Sequence, residues 1–455
     1  METTRFLIYE PGQLLLLPPD LREWLEEGHL AYFILDVVET LDLSEIFASY
    51  DGSRGGRPGF DPRLLVGLLL YGYCTGVTSS RKLEKATHES VPFRVLAANQ
   101  HPDHATIAEF RRRHLEALSR LFVQVLRLCE KAGLVRLGHV ALDGTKLRAN
   151  ASKHKAMSYG RMEEKIGELE AQVKELMAAA ETVDQAEDAQ HGPRRGDELP
   201  KELRFRQQRL AKIRQAKEAL EAEAQAEAQR LREEKETKAG GPGEKPPGGS
   251  EPPPPKAVKP AEKAQRNFTD PDSRIMRDGA TKSFEQSYNC QAVVDSEAQV
   301  IVASQVTQQA NDKQQIEPLV EQMKSNLEGR LPGELSADAG YFSEDNLGYL
   351  EGQKIDPYIA TGRQKHGVTL ESEPIGENAK PRERMAAKLQ TPTGKRVYSK
   401  RKETVEPVFG QIKEARGLRR FLLRGLGSVQ AEWNLICATH NLLKLFRSGW
   451  RPQWA

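Results

Sequence analysis

Cysteine is scarce in this chain. There are four in 455 residues, Cys74, Cys129, Cys290 and Cys437, widely separated and without a CxxC pair. That pattern argues against a cysteine-rich zinc module or a disulfide framework and fits reduced, buried thiols. Long apolar runs are missing too. The strongest, Leu64–Tyr73, is interrupted by Gly67 and Gly72 and is too short to cross a bilayer. The opening residues Met-Glu-Thr-Thr-Arg-Phe do not read as a signal peptide, so a cytoplasmic protein is expected. Net charge is almost absent, with 67 basic residues against 65 acidic ones. The overall balance therefore argues neither for nor against a polyanionic partner.

The length suits about three domains at roughly 150 residues each. A hydrophobic fraction of 38% and a mean hydropathy of −0.62 suit a soluble protein with large polar segments. The distribution of charge says more than its sum. Acid collects between about residues 163 and 236, and base collects elsewhere, notably over 395–424.

Residues 1–135 read as a helical N-terminal DNA-binding domain. Apolar residues recur at helical spacing in Leu21–Leu43, Pro62–Tyr73, Arg81–Ala86 and Thr106–Gly133. Asp61-Pro62 and His104-Ala105-Thr106 are helix starts. Basic turns lie between the later helices, at Gly52–Arg57, Ser79–Lys82 and Arg111–His114. Arginines there could lie on a phosphate backbone, although a basic triplet alone favours a solvated helix face.

From about residue 136 the pattern changes to α/β. Leu137–Leu142 is a short strand that ends at Asp143. Tyr288–Val294 and Val300–Val306 form a hairpin. A helix over Asp312–Leu327 precedes Leu335–Ala337, which leads to Asp338. A helix at Ser343–Glu351 and a strand at Asp356–Ala360 follow. Residues 362–397 read as an outward loop, Thr404–Arg416 as a helix and Ala431–Phe446 as a last apolar helix. Segments 136–150 and 266–455 thus make one catalytic domain, a mixed sheet flanked by helices in the order of the ribonuclease-H-like fold. Trp433 and His440 read as packing residues in the last helix, and His139 as a strand residue.

Residues 151–265 interrupt that domain. Met162, Ile166, Leu169, Val173 and Leu176 form a heptad seam, and Leu210, Ile213, Ala216, Leu220, Ala224, Ala228 and Leu231 a second, less regular stripe. The break over Gln190–Pro200 makes an antiparallel helical hairpin the economical reading; an intermolecular coiled coil is the alternative. Lys238–Lys263, with Gly-Gly-Pro-Gly and four consecutive prolines, reads as a linker.

Three separated carboxylates carry the chemistry. Asp143 and Asp338 close short apolar runs, and Glu406 opens a basic helix. Gly144 and Gly340 remove bulk beside the first two, so that a backbone, a metal or a phosphate can approach. Oxygen ligands without a histidine or cysteine cluster suit Mg²⁺ or Mn²⁺, and such a set can hold two ions for in-line phosphoryl transfer.

At these residues the chain resembles bacterial insertion-sequence transposases of the DDE class, in the YREK-signature group. Ala141–Thr145 resembles the first acid motif, Ala337–Phe342 the second and Val405–Lys413 the third. Asp61–Thr75 and His104–His114 resemble the group's N-terminal transposase domain. The resemblance implies an enzyme that frees element ends and joins their 3′ hydroxyls to target DNA, with Asp143, Asp338 and Glu406 as catalytic metal ligands. It implies double-stranded DNA partners (terminal inverted repeats and target), self-association in a synaptic complex, no membrane, and a cytoplasmic, nucleoid-associated location. The signature is Tyr, two residues, Arg, three residues, Glu, six residues, Lys. Tyr398, Arg401, Glu406 and Lys413 fit except that the Arg-to-Glu gap is one too long. Lys402 fits the gap but is not arginine, and Glu403 is a rival for Glu406. DNA contacts are expected from Tyr398, Arg401, Lys402, Lys413, Arg416, Arg419 and Arg420, with Arg424 beyond them. Two other readings stay open: a ribonuclease-H-like nuclease that cuts without joining, and a catalytically silent DNA-binding protein.

Overall fold

A computed structural model of the chain describes residues 20–50, 59–191, 201–238, 258–278, 282–362 and 379–452. The basic turn Gly52–Arg57, the break at 192–200 and most of the Pro/Gly linker lie outside the described residues.

Helical spacing organises the first part of the chain into α1 (Leu30–Thr40), α2 (Ser44–Ala48), α3 (Pro62–Thr75), α4 (Ser80–Glu89), α5 (Val91–Leu96), α6 (His104–Arg113) and α7 (Leu115–Lys131). The expected helix starts are real. Asp61 accepts the Arg63 N–H at 2.8 Å with Pro62 in the first turn, and Asp103 accepts the Thr106 N–H at 2.6 Å. The continuous stretch expected over Thr106–Gly133 is two helices, broken at His114, and α5 is an addition. α3 is buried on nearly all sides, which explains why its sequence lacks a polar face.

The second part runs β1 (His139–Arg148), β2 (Ala156–Ser158), α8 (Tyr159–His191), α9 (Lys201–Lys238), β3 (Gln265–Asn267), β4 (Arg274–Arg277), β5 (Phe284–Asp295), β6 (Ile301–Thr307), α10 (Ile316–Asn326), β7 (Glu334–Ala337), α11 (Glu344–Gly352), β8 (Asp356–Ile359), α12 (Pro381–Gln390), α13 (Pro392–Gly410) and α14 (Leu426–Arg447). Six strands form one mixed sheet in the order β4-β5-β1-β7-β8, with β6 also on β5. β5 runs antiparallel to β1 and β6 to β5, while β7 and β8 run parallel to β1. This α/β architecture is consistent with a ribonuclease-H-like DDE domain. One apolar cluster extends from Ala31 on α1 through the central strands to Leu445 on α14, so the helical part and the sheet share a core. The four cysteines are free and buried in it.

Three expectations need correction. β1 does not stop at Asp143; it continues to Arg148 because β5 pairs with it throughout, from Val140↔Asp295 to Arg148↔Ser287. Asp143 is thus mid-strand. The expected loop over 362–397 holds two helices in its described part: Pro381 and Pro392 each open a helix in the first turn, where a missing N–H costs nothing. The acid-bearing helix therefore starts at Pro392, not Thr404. It passes through Pro407, which cannot donate to the Glu403 carbonyl; the Gln299 side chain donates to that carbonyl instead, at 2.8 Å. Its last turn, Gln411–Ala415, is a π turn. Such a turn holds more residues than an α turn, so seven residues from Glu406 to Lys413 are not two α turns.

In the insertion, α8 and α9 pack antiparallel around their own small core of Met162, Leu169, Leu210, Ile213, Ala216 and Leu220. Cross-helix pairs descend along one helix as they ascend the other: Tyr159–Glu221, Glu163–Lys217, Glu170–Arg214 and Gln172–Arg206.

His440 on α14 is 1% exposed, with Nε2 donating to the Gln299 carbonyl at 2.9 Å. Burial, helped by the Arg416 guanidinium, pushes its imidazole down to about 3. The unfolded chain therefore binds a proton that the folded chain refuses between about 3 and 6.5, and stability falls as pH drops through that window. This one group is expected to remove about 2 kcal/mol between near-neutral pH and about pH 5. The loss of melting temperature over that interval should shrink in His440→Asn, and an unchanged loss would place the acid sensitivity elsewhere.

Candidate active site

Asp143 and Asp338 come together through strand register. Leu142 of β1 lies opposite Ala337 of the parallel β7. The next residue of each chain segment is the aspartate, so the two acids extend from neighbouring strands separated by about 4.8 Å. Asp143 is half-buried. Its Oδ1 accepts its neighbour Gly144 N–H and its Oδ2 accepts from Arg401 Nη1, both at 2.8 Å. Burial pushes the Asp143 carboxyl up to about 6, against the pull of Arg401 and with an added push from Asp338 and Asp312. Asp338 caps the short turn Ala339–Tyr341, with Oδ1 accepting the Gly340 N–H at 2.7 Å.

Arg401 is 8% exposed and lies over the Tyr398 ring at 5.8 Å. Burial opposes its charge, but Asp143, Tyr398 and Asp338 hold the guanidinium protonated above its ordinary range. Lys402 is exposed, as are Glu403 and Glu406. Geometry thus favours Arg401 over Lys402 as the cation bound to the first acid, despite its spacing. Lys413 reaches back to β1, donating to Thr145 Oγ1 at 3.1 Å and the Lys146 carbonyl at 3.4 Å.

The expected arginine strip divides. Arg419 and Arg420 are exposed, Arg419 paired with Glu414 and Arg420 bridged through its backbone to Arg148 of β1. Arg424 is also exposed, donating to the Asn150 carbonyl. Arg416 departs from the strip. It is 5% exposed and donates to the Thr439 hydroxyl at 2.8 Å and to the carbonyls of Tyr73 and Ile436. Its place in the core leaves it no route to a phosphate. The triplet expected in a turn is also committed: Arg111 is buried on the Thr78 carbonyl, Arg112 pairs with Glu109, and Arg113 covers the Tyr50 ring. His139 is a strand residue bonded to Ser336, with burial pushing it down to about 4.

Asp312 was assigned above only to a helix start. It lies ahead of α10, and its Oδ1 accepts from Asn289 Nδ2 and Gln291 Nε2, each at 2.7 Å. Burial pushes its carboxyl up, and Asp338 adds to that. The available signal was polarity: Gln286, Asn289 and Gln291 are buried amides in β5, a residue type that is mostly exposed. The glycines also serve differently than expected. A Cβ at Gly144 would meet Gln291 Nε2 at 2.4 Å, so this glycine makes room for side-chain amides. A Cβ at Gly340 would lie 2.9 Å from Asp338 Oδ1 and 3.2 Å from Asp312 Oδ2. A side chain at 340 would therefore crowd both carboxylates, and the acids Asp143 and Asp338 offer oxygen donors only, the kind a hard divalent cation takes. No three His, Cys, Asp or Glu side chains among the described residues already stand as a metal-binding group, and Glu406 faces solvent.

Two family models match the chain. One, described as a transposase DDE domain, covers residues 361–446 and so includes Glu406, Lys413 and α14. The other, described as a transposase domain (DUF772), covers residues 19–113, from the start of the helical part through α6. Asp143 and Asp338 lie between the matched segments. No curated protein and no solved structure matches. No helix among the described residues is long and apolar enough to cross a membrane.

Proposed function

We propose that the chain, which matches both transposase-domain models, is a DDE transposase of the YREK-signature group that cuts insertion-sequence ends and joins their 3′ hydroxyls to target DNA. The observation that carries this reading is the register that places Asp143 and Asp338 side by side on parallel strands. These two and Glu406 are the residues we assign to hold two Mg²⁺ or Mn²⁺ ions. Ions bound there supply the Lewis acidity for in-line attack on a phosphodiester.

The remaining roles fall to the chain's own side chains. Arg401 neutralises Asp143 and braces Tyr398. Lys413 ties the end of the acid-bearing helix to β1. Lys402, Arg419, Arg420 and Arg424 supply exposed positive charge for phosphates beside the acids, and base identity is not read by such contacts. Two ends must be processed, so at least two copies assemble on DNA. The α8–α9 hairpin is an accessory module of residues 151–265, between the first strand and the rest of the catalytic domain.

The test uses duplexes ending in an intact or a precut element terminus, a supercoiled target and Mg²⁺. Joined product supports the transposase reading. Cleavage of an intact end without joining supports the nuclease reading, and neither activity with retained DNA binding supports the silent one. Arg420→Ala is expected to lower the slope of log affinity against log salt by about one, for one lost phosphate contact. An unchanged slope would take Arg420 off the DNA path.

A further inference from the structure

Gln291 is fully buried in β5, directly opposite Gly144 in the strand register. A buried side-chain amide requires partners, and Gln291 has them at Nε2 and Oε1, with a third at its main-chain carbonyl. Its Nε2 donates to Asp312 Oδ1 at 2.7 Å. Its Oε1 accepts from the hydroxyl of Tyr341, itself fully buried and three residues beyond Asp338. Its main-chain carbonyl accepts from Trp433 Nε1 at 3.0 Å. When Asp312 is ionised it can only accept, so the NH₂ end faces it and the oxygen faces Tyr341.

We propose that Gln291 is a positioning residue for the acidic centre: its amide crosses over Gly144, pins the Asp338 turn through Tyr341, and orients Asp312, so that it sets the separation of Asp143 and Asp338. The inference rests on the reading of those two aspartates as metal-holding acids. Gly144 follows from the same geometry. With any Cβ there, the amide would be displaced from the path that links the three segments.

The alternative is a glutamine that only stabilises the fold. Charge separates the two. Gln291→Glu keeps the size and still accepts from Tyr341, but sets a carboxylate against Asp312. The partner change Asp312→Asn restores a donor towards Glu at 291 and keeps an acceptor for Asn289. The full-length protein and these variants are compared by Mn²⁺ titration, by melting temperature and by single-turnover end cleavage. Substitutions of groups that orient metal ligands cost about 10- to 100-fold in affinity or activity. Gln291→Glu is expected to lose that much in Mn²⁺ affinity and cleavage rate, with end binding in the absence of divalent ions unchanged. The double variant is expected to recover Mn²⁺ affinity to within about threefold, the coupling of residues in one network.

Gly144→Ala, which crowds the amide from the β1 side, should reproduce the loss if Gln291→Glu does not fold. Unchanged Mn²⁺ affinity in a folded Gln291→Glu overturns the inference, and so does a double variant no better than the single one. Absence of Mn²⁺ binding by the unsubstituted chain would instead overturn the assignment of the acids, before Gln291 is tested at all.

Discussion

Asp338→Asn is expected to abolish end cleavage while leaving end binding within about twofold, the range of a substitution that breaks no structural feature. The carboxylate directly follows the parallel strand β7 and lies beside Asp312 across Gly340. The amide keeps the shape, and its oxygen still accepts from the Gly340 N–H that now bonds Asp338 Oδ1. What goes is a negative charge, and without it a divalent cation loses a ligand that cannot be borrowed from the phosphate contacts. The phosphate contacts proposed above fall instead on Lys402, Arg419, Arg420 and Arg424, all exposed. Mobility shift and cleavage on the same end fragment check both halves. If binding and cleavage fell together, Asp338 would be holding the fold or the DNA surface rather than the chemistry. A second consequence concerns Asp143. Removing one of the like charges that hold its carboxyl up should let that group ionise more readily, so loss of cleavage could not be blamed on a protonated Asp143.

The fold was readable where pattern and partner agree. The hairpin β5–β6 alternates and is rich in branched residues, and its strands lie within a residue or so of the expected bounds at one end or both. The helix starts at Asp61 and Asp103 obey local capping rules that no tertiary contact overrides. What failed needed information from far along the chain. β1 extends past Asp143 because β5, well over a hundred residues later, supplies the hydrogen bonds. The helices at Pro381 and Pro392 lie in a stretch dense in charge, glycine and proline, where a first-turn proline looks the same as a loop proline until the chain beyond it is seen.

The same division holds for the site. Asp143 and Asp338 announce themselves by position after apolar runs. Asp312 has no such mark, because its place depends on two amides from β5. Arg416 looks like its neighbours Arg419 and Arg420 in sequence, yet it is packed under Gly76, where a Cβ would meet its carbonyl at 2.3 Å. Spacing alone cannot separate a buried arginine from an exposed one three residues away.

Arg401→Ala is expected to slow end cleavage by on the order of 100-fold, a loss typical of one preorganised charge removed from a reacting centre. Lys402→Ala, at an exposed position, should change it by about twofold or less. The difference follows from burial. Arg401 is the direct partner of Asp143 at 2.8 Å, with side chains only 10% and 20% exposed. Its cation opposes a carboxyl that burial already pushes up to about 6. Remove the guanidinium and that carboxyl rises further, so that a proton competes with the metal at neutral pH. The sign then gives a test that a phosphate ligand would not pass. Raising the pH deprotonates Asp143, so Arg401→Ala should recover part of its cleavage between about pH 7 and 9 while the unsubstituted enzyme changes little there. Arg401→Lys should sit between the two, since it keeps the charge but not the planar fork. Should the alanine variant stay equally slow at every pH and bind ends weakly without metal, Arg401 would be gripping the cut strand, and Asp143 would need no counter-ion to stay charged.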